Sequence, residues 1–158
     1  MDQLDKKDVE ILKRLKNDSR TPMGVIGDQI GISKATVSRR VARMEDDKVI
    51  KNYSMNIDLT EMGIMKSLIS IQVMGSPVNT VIESLKEFEE IGTVYKAFGD
   101  HNLVCEAYTH NVDELYDMIQ NRMLKIMSIR NVEVDVLIGD VTLHDNADIK
   151  LYEKYMEE

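Results

Sequence analysis

Between Ser33 and Arg43 the run Ser-Lys-Ala-Thr-Val-Ser-Arg-Arg-Val-Ala-Arg places three guanidinium groups, one ammonium and three hydroxyls within eleven residues. Such groups bind anions and base edges: a guanidinium can donate two parallel N–H bonds to a phosphate or to guanine O6 and N7, and a hydroxyl reaches either. At 100° per residue Val37, Val41 and Met44 form one apolar stripe, so Ala35, Thr36, Ser38, Arg39, Ala42 and Arg43 lie on opposite or flanking faces. The alanines let a backbone approach closely, as a helix seated in the major groove requires. Arg40 lies nearer the apolar boundary, where it meets a phosphate or an acidic neighbour. The pattern points to double-stranded DNA, with Ser33, Lys34, Thr36, Ser38, Arg39, Arg40 and Arg43 as contact candidates and Lys51 just beyond them.

The remaining reactive groups do not assemble into a catalytic pattern. Asp100, His101, His110, His144 and Cys105 have no spacing that fits a metal set or a nucleophile with its base, and no glycine-rich phosphate loop occurs. Cys105 falls in the middle of an expected strand, where a lone cysteine is a small buried hydrophobe. No enzyme activity, metal or cofactor is expected. An alternative function is a metabolite-binding or interaction module without DNA binding, but that reading needs a first domain lacking a basic face.

Positioning the cationic stretch requires a compact scaffold, and the preceding residues supply one. Leu4, Ile11, Leu12 and Leu15 share a helical face, with Asp5 and Asp8 suited to the helix start, so a first helix ends near Asn17. Thr21 before Pro22 predicts a capped second helix to about Ile30. Gly31 gives a tight turn, and Ser33 caps a third helix from Lys34 to about Asp46. Two helices joined by a glycine turn make a helix-turn-helix. The stretch from Val49 to Ile57 has the β-branched and aromatic content of an extended wing or linker, where Lys48, Lys51 and Tyr53 are placed to meet phosphates.

Downstream the period changes. Ile69, Ile71 and Val73 alternate with polar neighbours in a first strand, and Pro77 opens a helix carrying Val78, Val81, Ile82, Leu85 and Phe88. A strand around Val94 to Phe98, the loop Gly99-Asp100-His101-Asn102 and a strand from Leu103 to Thr109 follow. Asp113 is expected to cap a second helix bearing Leu115, Met118, Ile119, Met123 and Ile126, with Arg122 snorkelling from its apolar stripe. Val132, Val134, Val136 and Ile138 make the last strand. The order βαββαβ describes a ferredoxin-like split βαβ sandwich, so the fold class is α+β. Its helices cover one sheet face; Leu68, Met74, Tyr95, Ala97 and Leu137, or their alternates, are left on the other. A second copy of the sheet is the economical cover, which predicts at least a two-fold homodimer.

The charge supports this division. The net charge of -8 conceals a surplus of three positive charges over residues 1–55 and of eleven negative charges over residues 56–158. The boundaries expected are a helix-turn-helix domain at 1–50, an extended wing or linker at 51–64, and a dimerisation and effector-binding domain at 65–158. With one cysteine, no long apolar run and no signal-like start, a reducing cytoplasm is the expected compartment and no membrane partner is expected.

Three motifs occur in order before this βαββαβ pattern: Leu4-Asp5-x-x-Asp8-x-x-Ile11-Leu12-x-x-Leu15 with Asp18-Ser19-Arg20, Ile32-Ser33-x-x-Thr36-Val37-x-x-Arg40-Val41-x-x-Met44-Glu45, and Val49-Ile50-x-x-Tyr53, with Gly99-Asp100 further on. Nearly the whole chain thereby resembles the Lrp/AsnC, or feast/famine, family of transcription regulators. The resemblance implies an N-terminal winged or helix-turn-helix DNA reader and a C-terminal domain that dimerises, builds tetramers or octamers, and in many members binds a small amino acid. It places Gly99, Asp100 and His101 near a ligand pocket or a dimer-dimer contact, and Asp135 where many members carry threonine or serine. Two carboxylates there favour an effector that is cationic or exposes an amine. Lys48 stands where the family usually has glycine.

Overall fold

The computed structural model describes residues 4–157. It divides into two compact units, one built from residues up to Asn56 together with those from Val141 onward, the other from Ile57–Asp140. In the first unit, α1 (Lys6–Asn17), α2 (Met23–Ile30) and α3 (Lys34–Asp46) surround a core of Ile11, Leu15, Ile26, Ile30, Val37, Val41 and Met44. Burying each of these larger aliphatic side chains contributes about 1.5–3 kcal/mol before chain entropy is counted. Asp5 and Asp8 form a reciprocal capping box at the start of α1, and the Ser33 hydroxyl accepts the N–H of Thr36 at 3.1 Å at the start of α3. Thr21 departs from expectation. Its hydroxyl donates back to the carbonyl oxygen of Asp18 at 2.8 Å, so α2 begins after Pro22 without a side-chain cap.

The turn between α2 and α3 depends on backbone proximity. Gly31 adopts a left-handed φ of 72°, and a Cβ on Gly27 would stand 2.5 Å from the carbonyl oxygen of Ile32. Only a residue without a side chain lets α2 lie this close to the turn that leads into α3. The far end of α3 closes in a Schellman motif: Val49 N–H donates to Met44 O at 2.9 Å and Lys48 N–H to Glu45 O at 3.0 Å. Lys48 holds the left-handed position of that motif, with φ 60°. The chain after it differs from the wing expected. Residues 51–58 form neither helix nor paired strand, since a lone strand without a neighbour leaves its ladder groups to solvent.

Residues 141–157, expected with the second domain, group instead with the first unit. There α6 (Ala147–Glu157) meets α1 through Lys13 Nζ to Glu153 Oε1 and Lys16 Nζ to Asp148 Oδ1, both 2.5 Å, and through Asn146 to Asn17 at 3.1 Å. The half-buried residues of α6, Ile149, Tyr152, Glu153 and Met156, recur at helical spacing, so apolar contact and polar pairs seat this helix together.

The second unit carries β1 (Met65–Val73), α4 (Val78–Leu85), β2 (Ile91–Lys96), β3 (Leu103–Thr109), α5 (Val112–Asp117) and β4 (Ile129–Leu137). The sheet order is β2-β3-β1-β4 with antiparallel neighbours throughout, the split βαβ arrangement expected. Ile69, Ile71, Leu103, Cys105 and Ala107 face the helices and pack on Val81, Leu85, Met118 and Met123. Strand β2 starts at Ile91, earlier than expected. Asn111 rather than Asp113 caps α5, its side chain accepting Glu114 N–H at 2.8 Å. The single long helix expected after it is a short α-helix followed by a π turn (Met118–Arg122) and a 3₁₀ turn (Met123–Lys125). Arg122 does not simply snorkel; it pairs with Glu90 at 2.5 Å and lies over the Phe88 ring. Register places Leu68, Tyr95, Val104 and Leu137 on the helix-free face, interrupted by an ion pair between Lys66 and Glu106 at 2.9 Å. Met74 and Ala97 fall just beyond the strand ends.

Two substitutions test the backbone argument by thermal melting. Lys48→Gly should stabilise the first unit by about 1 kcal/mol, since a left-handed residue with a Cβ costs about 1–2 kcal/mol and glycine's greater chain entropy offsets part of the relief. Gly27→Ala should destabilise it by about 1–3 kcal/mol, because the added methyl forces α2 away from Ile32.

Candidate nucleic-acid interface and effector loop

The outward stripe of α3 is Lys34, Ala35, Ser38, Arg39 and Ala42, all exposed. Ser38 and Arg39 make no side-chain hydrogen bond or ion pair among the described residues, so their donors face solvent. Ser33 and Thr36 are engaged with each other: the two hydroxyls lie 2.9 Å apart, and Ser33 holds the Thr36 N–H. They shape the start of the helix while leaving their remaining lone pairs outward. Lys51 is exposed in the irregular segment beyond α3. Tyr53, expected to meet phosphate, instead donates its hydroxyl to Glu45 Oε1 at 2.7 Å. Burial, reinforced by that carboxylate, pushes the Tyr53 phenol up to about 12.

Arg40 and Arg43 turn the other way. Arg40 Nη1 donates to Asp5 Oδ2 at 2.7 Å and to Asp8 Oδ1 at 2.9 Å, while Arg43 Nη2 donates to Asp8 Oδ2 at 2.5 Å. The Asp8 side chain is 1% exposed and also accepts the backbone N–H of Asp5 at 3.0 Å. A buried carboxylate is tolerable only with such partners, and deleting one partner of a buried pair costs about 3–5 kcal/mol. Arg40 thus meets the acidic neighbour foreseen, whereas Arg43 differs from its expected outward role: one nitrogen anchors α3 to α1 and the rest of the guanidinium reaches the surface. Arg20, in the turn before α2, is a further exposed cationic group outside the expected set; its side chain is 90% exposed and its Nε pairs with Asp18 Oδ1 at 3.3 Å. Its signal was present in the charged turn Asp18-Ser19-Arg20 next to an uncapped helix start.

The loop from Ala97 to Asn102 joins β2 to β3. Gly99 has φ 150° and, with Asp100, is exposed. Asn102 fixes the loop's end: its side-chain oxygen accepts Val73 N–H at 2.7 Å and its own N–H donates to Ile71 O at 3.0 Å. That anchorage carries His101 towards β4, where its Nε2 lies 3.4 Å from Glu133 Oε1. Asp135 was expected beside this loop. The carboxylate facing His101 is Glu133, paired with Ser70, whereas Asp135 lies two residues further along β4, opposite Leu68. Strand numbering alone does not give this, because the loop reaches β4 across β1. Cys105 is buried within the sheet, and desolvation pushes its thiol up to about 11, which leaves it protonated and unreactive at neutral pH. His110 and His144 are exposed and separate. Among the described residues no group of three or more His, Cys, Asp or Glu side chains is arranged to hold a metal ion, and no helix is long and apolar enough to cross a membrane.

Comparison with known proteins finds two successive family models along the chain. The family model of the AsnC-type helix-turn-helix domain matches residues 4–45, and that of the Lrp/AsnC ligand binding domain matches residues 66–146. The HTH-type transcriptional regulator LrpA of Pyrococcus horikoshii is 30% identical over 130 residues, covering 82% of this chain and 92% of the relative. The regulatory protein AsnC of Haemophilus influenzae is 26% identical over 147 residues, covering 92% and 98%. Among solved structures, AsnC of E. coli superposes with a TM-score of 0.78 at 19% identity over 89% of this chain and 96% of that one; LrpC of B. subtilis gives 0.78 at 20% over 90% and 100%. At these identities the two structures establish the fold.

The α1–α3 ion pairs predict an acid response. Partial burial alone would raise the Asp5 pKa, but the Asp8 N–H and the Arg40 guanidinium outweigh it and hold the carboxyl below its ordinary value. A depressed folded-state value means that Asp5 contributes stability above the ordinary aspartate range, near 3.8, and that this contribution is lost as pH falls through the depressed value. Urea midpoints at pH 7 and pH 3 check it. Asp5→Asn keeps a good helix cap and should show a smaller fall between the two pH values than the parent protein.

Proposed function

The chain belongs to the Lrp/AsnC family of helix-turn-helix transcriptional regulators, and on that premise we propose that it reads an inverted-repeat DNA site as a homodimer, through the outward stripe of α3. The observation that carries this reading is the exposed pair Ser38 and Arg39, set on a helix whose other two arginines are held by Asp5 and Asp8. Arg39 is the base or phosphate reader; Lys34, Ser33, Thr36 and Lys51 contact the backbone around it. The exposed edge of Arg43 adds a phosphate contact while its inner nitrogen stays on Asp8, and Arg40 positions the helix. Two-fold pairing through the helix-free sheet face, where Leu68, Tyr95, Val104 and Leu137 cluster, presents two such helices about 34 Å apart, one duplex turn. Dimers then assemble further, as the family does.

The loop Gly99, Asp100 and His101 is the effector site in this reading, with Asp135 a more distant charge two residues beyond Glu133 on β4. Glu133 beside His101 adds negative charge to it. A small amino acid or amine that offers its ammonium to Asp100 fits this charge.

Sequences selected from random duplexes and assayed by fluorescence anisotropy across salt concentrations test the proposal. An inverted repeat should emerge, with affinity falling steeply as salt rises because phosphate contacts release counterions. Arg39→Ala should cost about 1–3 kcal/mol of binding with an unchanged melting temperature, whereas Arg40→Ala should lower the melting temperature. Undiminished affinity of the Arg39→Ala variant would remove α3's stripe from the interface.

A further inference from the structure

At the end of the second unit remote from the 97–102 loop lies a cleft of about 450 Å³. It forms where the turn after α4, the end of β3 and the start of α5 converge, roughly 20 Å along β3 from the hairpin at 3.4 Å per residue. Its walls carry Glu87, Glu89, Glu90 and Glu114 against the single guanidinium of Arg122. Counting these carboxylates and the guanidinium, the lining has a surplus of three negative charges. Glu87 and Glu89 form no ion pair among the described residues. Arg122 holds only one oxygen of Glu90, and the other is buried without a partner. Glu114 accepts the backbone N–H of His110 at 3.0 Å, which fixes its carboxylate at the rim.

An acidic lining alone is an ordinary solvated surface. Thr109 distinguishes this one: it lines the cleft, is only 5% exposed, and its hydroxyl has no hydrogen-bond partner. A buried polar group left unpaired costs about 1–3 kcal/mol, so one that borders a charged cleft is a ready anchor for a ligand's donor. The carboxylates are too dispersed for a metal ion, since no three of the described acidic, histidine or cysteine side chains group around one point. Charge spread along a cleft matches charge spread along a ligand.

We propose that this cleft binds a linear polyamine, whose ammonium groups meet Glu87, Glu89 and the free oxygen of Glu90, with one N–H donated to the Thr109 hydroxyl. The cleft volume falls within the range of small-molecule sites. Ile64, in the segment that enters β1, forms part of its wall, so occupancy stiffens that segment. The site is independent of the DNA-reading assignment.

Calorimetric titration of the full chain at low ionic strength with spermidine tests this, with magnesium chloride as the compact-cation control. One spermidine per chain is expected, with affinity reduced at least tenfold in a Glu87→Gln, Glu89→Gln variant and at least threefold in Thr109→Val, which removes only the hydroxyl. An Asp140→Asn, Asp145→Asn variant, with the same charge change outside the cleft, should bind within twofold of the parent. Circular dichroism melts establish that each variant is folded. Absence of spermidine binding, equal losses in the two charge variants, full affinity in Thr109→Val, or magnesium binding at the same stoichiometry with displacement of spermidine would each overturn the proposal.

Discussion

The carboxylate of Asp8 has almost no contact with solvent, and the arrangement of the first unit follows from how that charge is satisfied. Three donors meet it: the Asp5 N–H, Arg40 and Arg43. Because both arginines come from one turn of α3, satisfying Asp8 fixes the rotation of α3 about its own axis as well as its distance from α1. The hydrophobic core alone would permit that helix to roll by a fraction of a turn at little cost. A charge that must be paired in a low-dielectric interior does not permit it. The outward direction of Ser38 and Arg39 is therefore a consequence of which residues point inward.

Close backbone packing completes that constraint at the other end of α3. Gly27 brings α2 within reach of the turn, and the Schellman motif at Lys48 sends the chain away with Val49 and Ile50 returned to the core. Lys48 in a left-handed conformation is a local inconsistency. A lysine there keeps a cation beside the reading helix while accepting backbone strain that glycine would avoid. Positive charge near the interface and an unstrained turn compete at this one position.

The second unit separates its chemistry by the direction of its strands. One sheet end carries the tight loop closed by Asn102, with His101 and Glu133 in contact; the other carries the acidic cleft around Thr109. Among the described residues of the apolar cluster between them, from Ile69 and Ile71 to Met118 and Met123, the one titratable group is the Cys105 thiol, which burial keeps protonated. The helix-free face mixes Leu68, Tyr95 and Leu137 with the Lys66–Glu106 pair, a pattern suited to a surface that is solvated in one state and paired in another.

Periodicity in the sequence determined the helix-turn-helix, the βαββαβ order and the inward-facing residues, because apolar spacing reports which side of an element is buried. The three ordered motifs and the partition of charge were equally legible, since each is a property of residue types and distances along the chain. The destination of individual polar side chains was not. Arg43 and Arg39 differ by four positions and look equivalent on a helical wheel, yet one reaches Asp8, thirty-five residues earlier, and the other reaches solvent. Glu133 rather than Asp135 meets His101 because strand register and the anchorage of Asn102 decide it. Residues from Ala147 to Glu157 join α1 through Lys13 and Lys16, partners more than 130 residues away that the half-buried stripe of Ile149, Tyr152 and Met156 does not identify by itself. Hydrophobic burial is written locally in every turn and strand; hydrogen-bond and charge partners are settled only when distant segments meet.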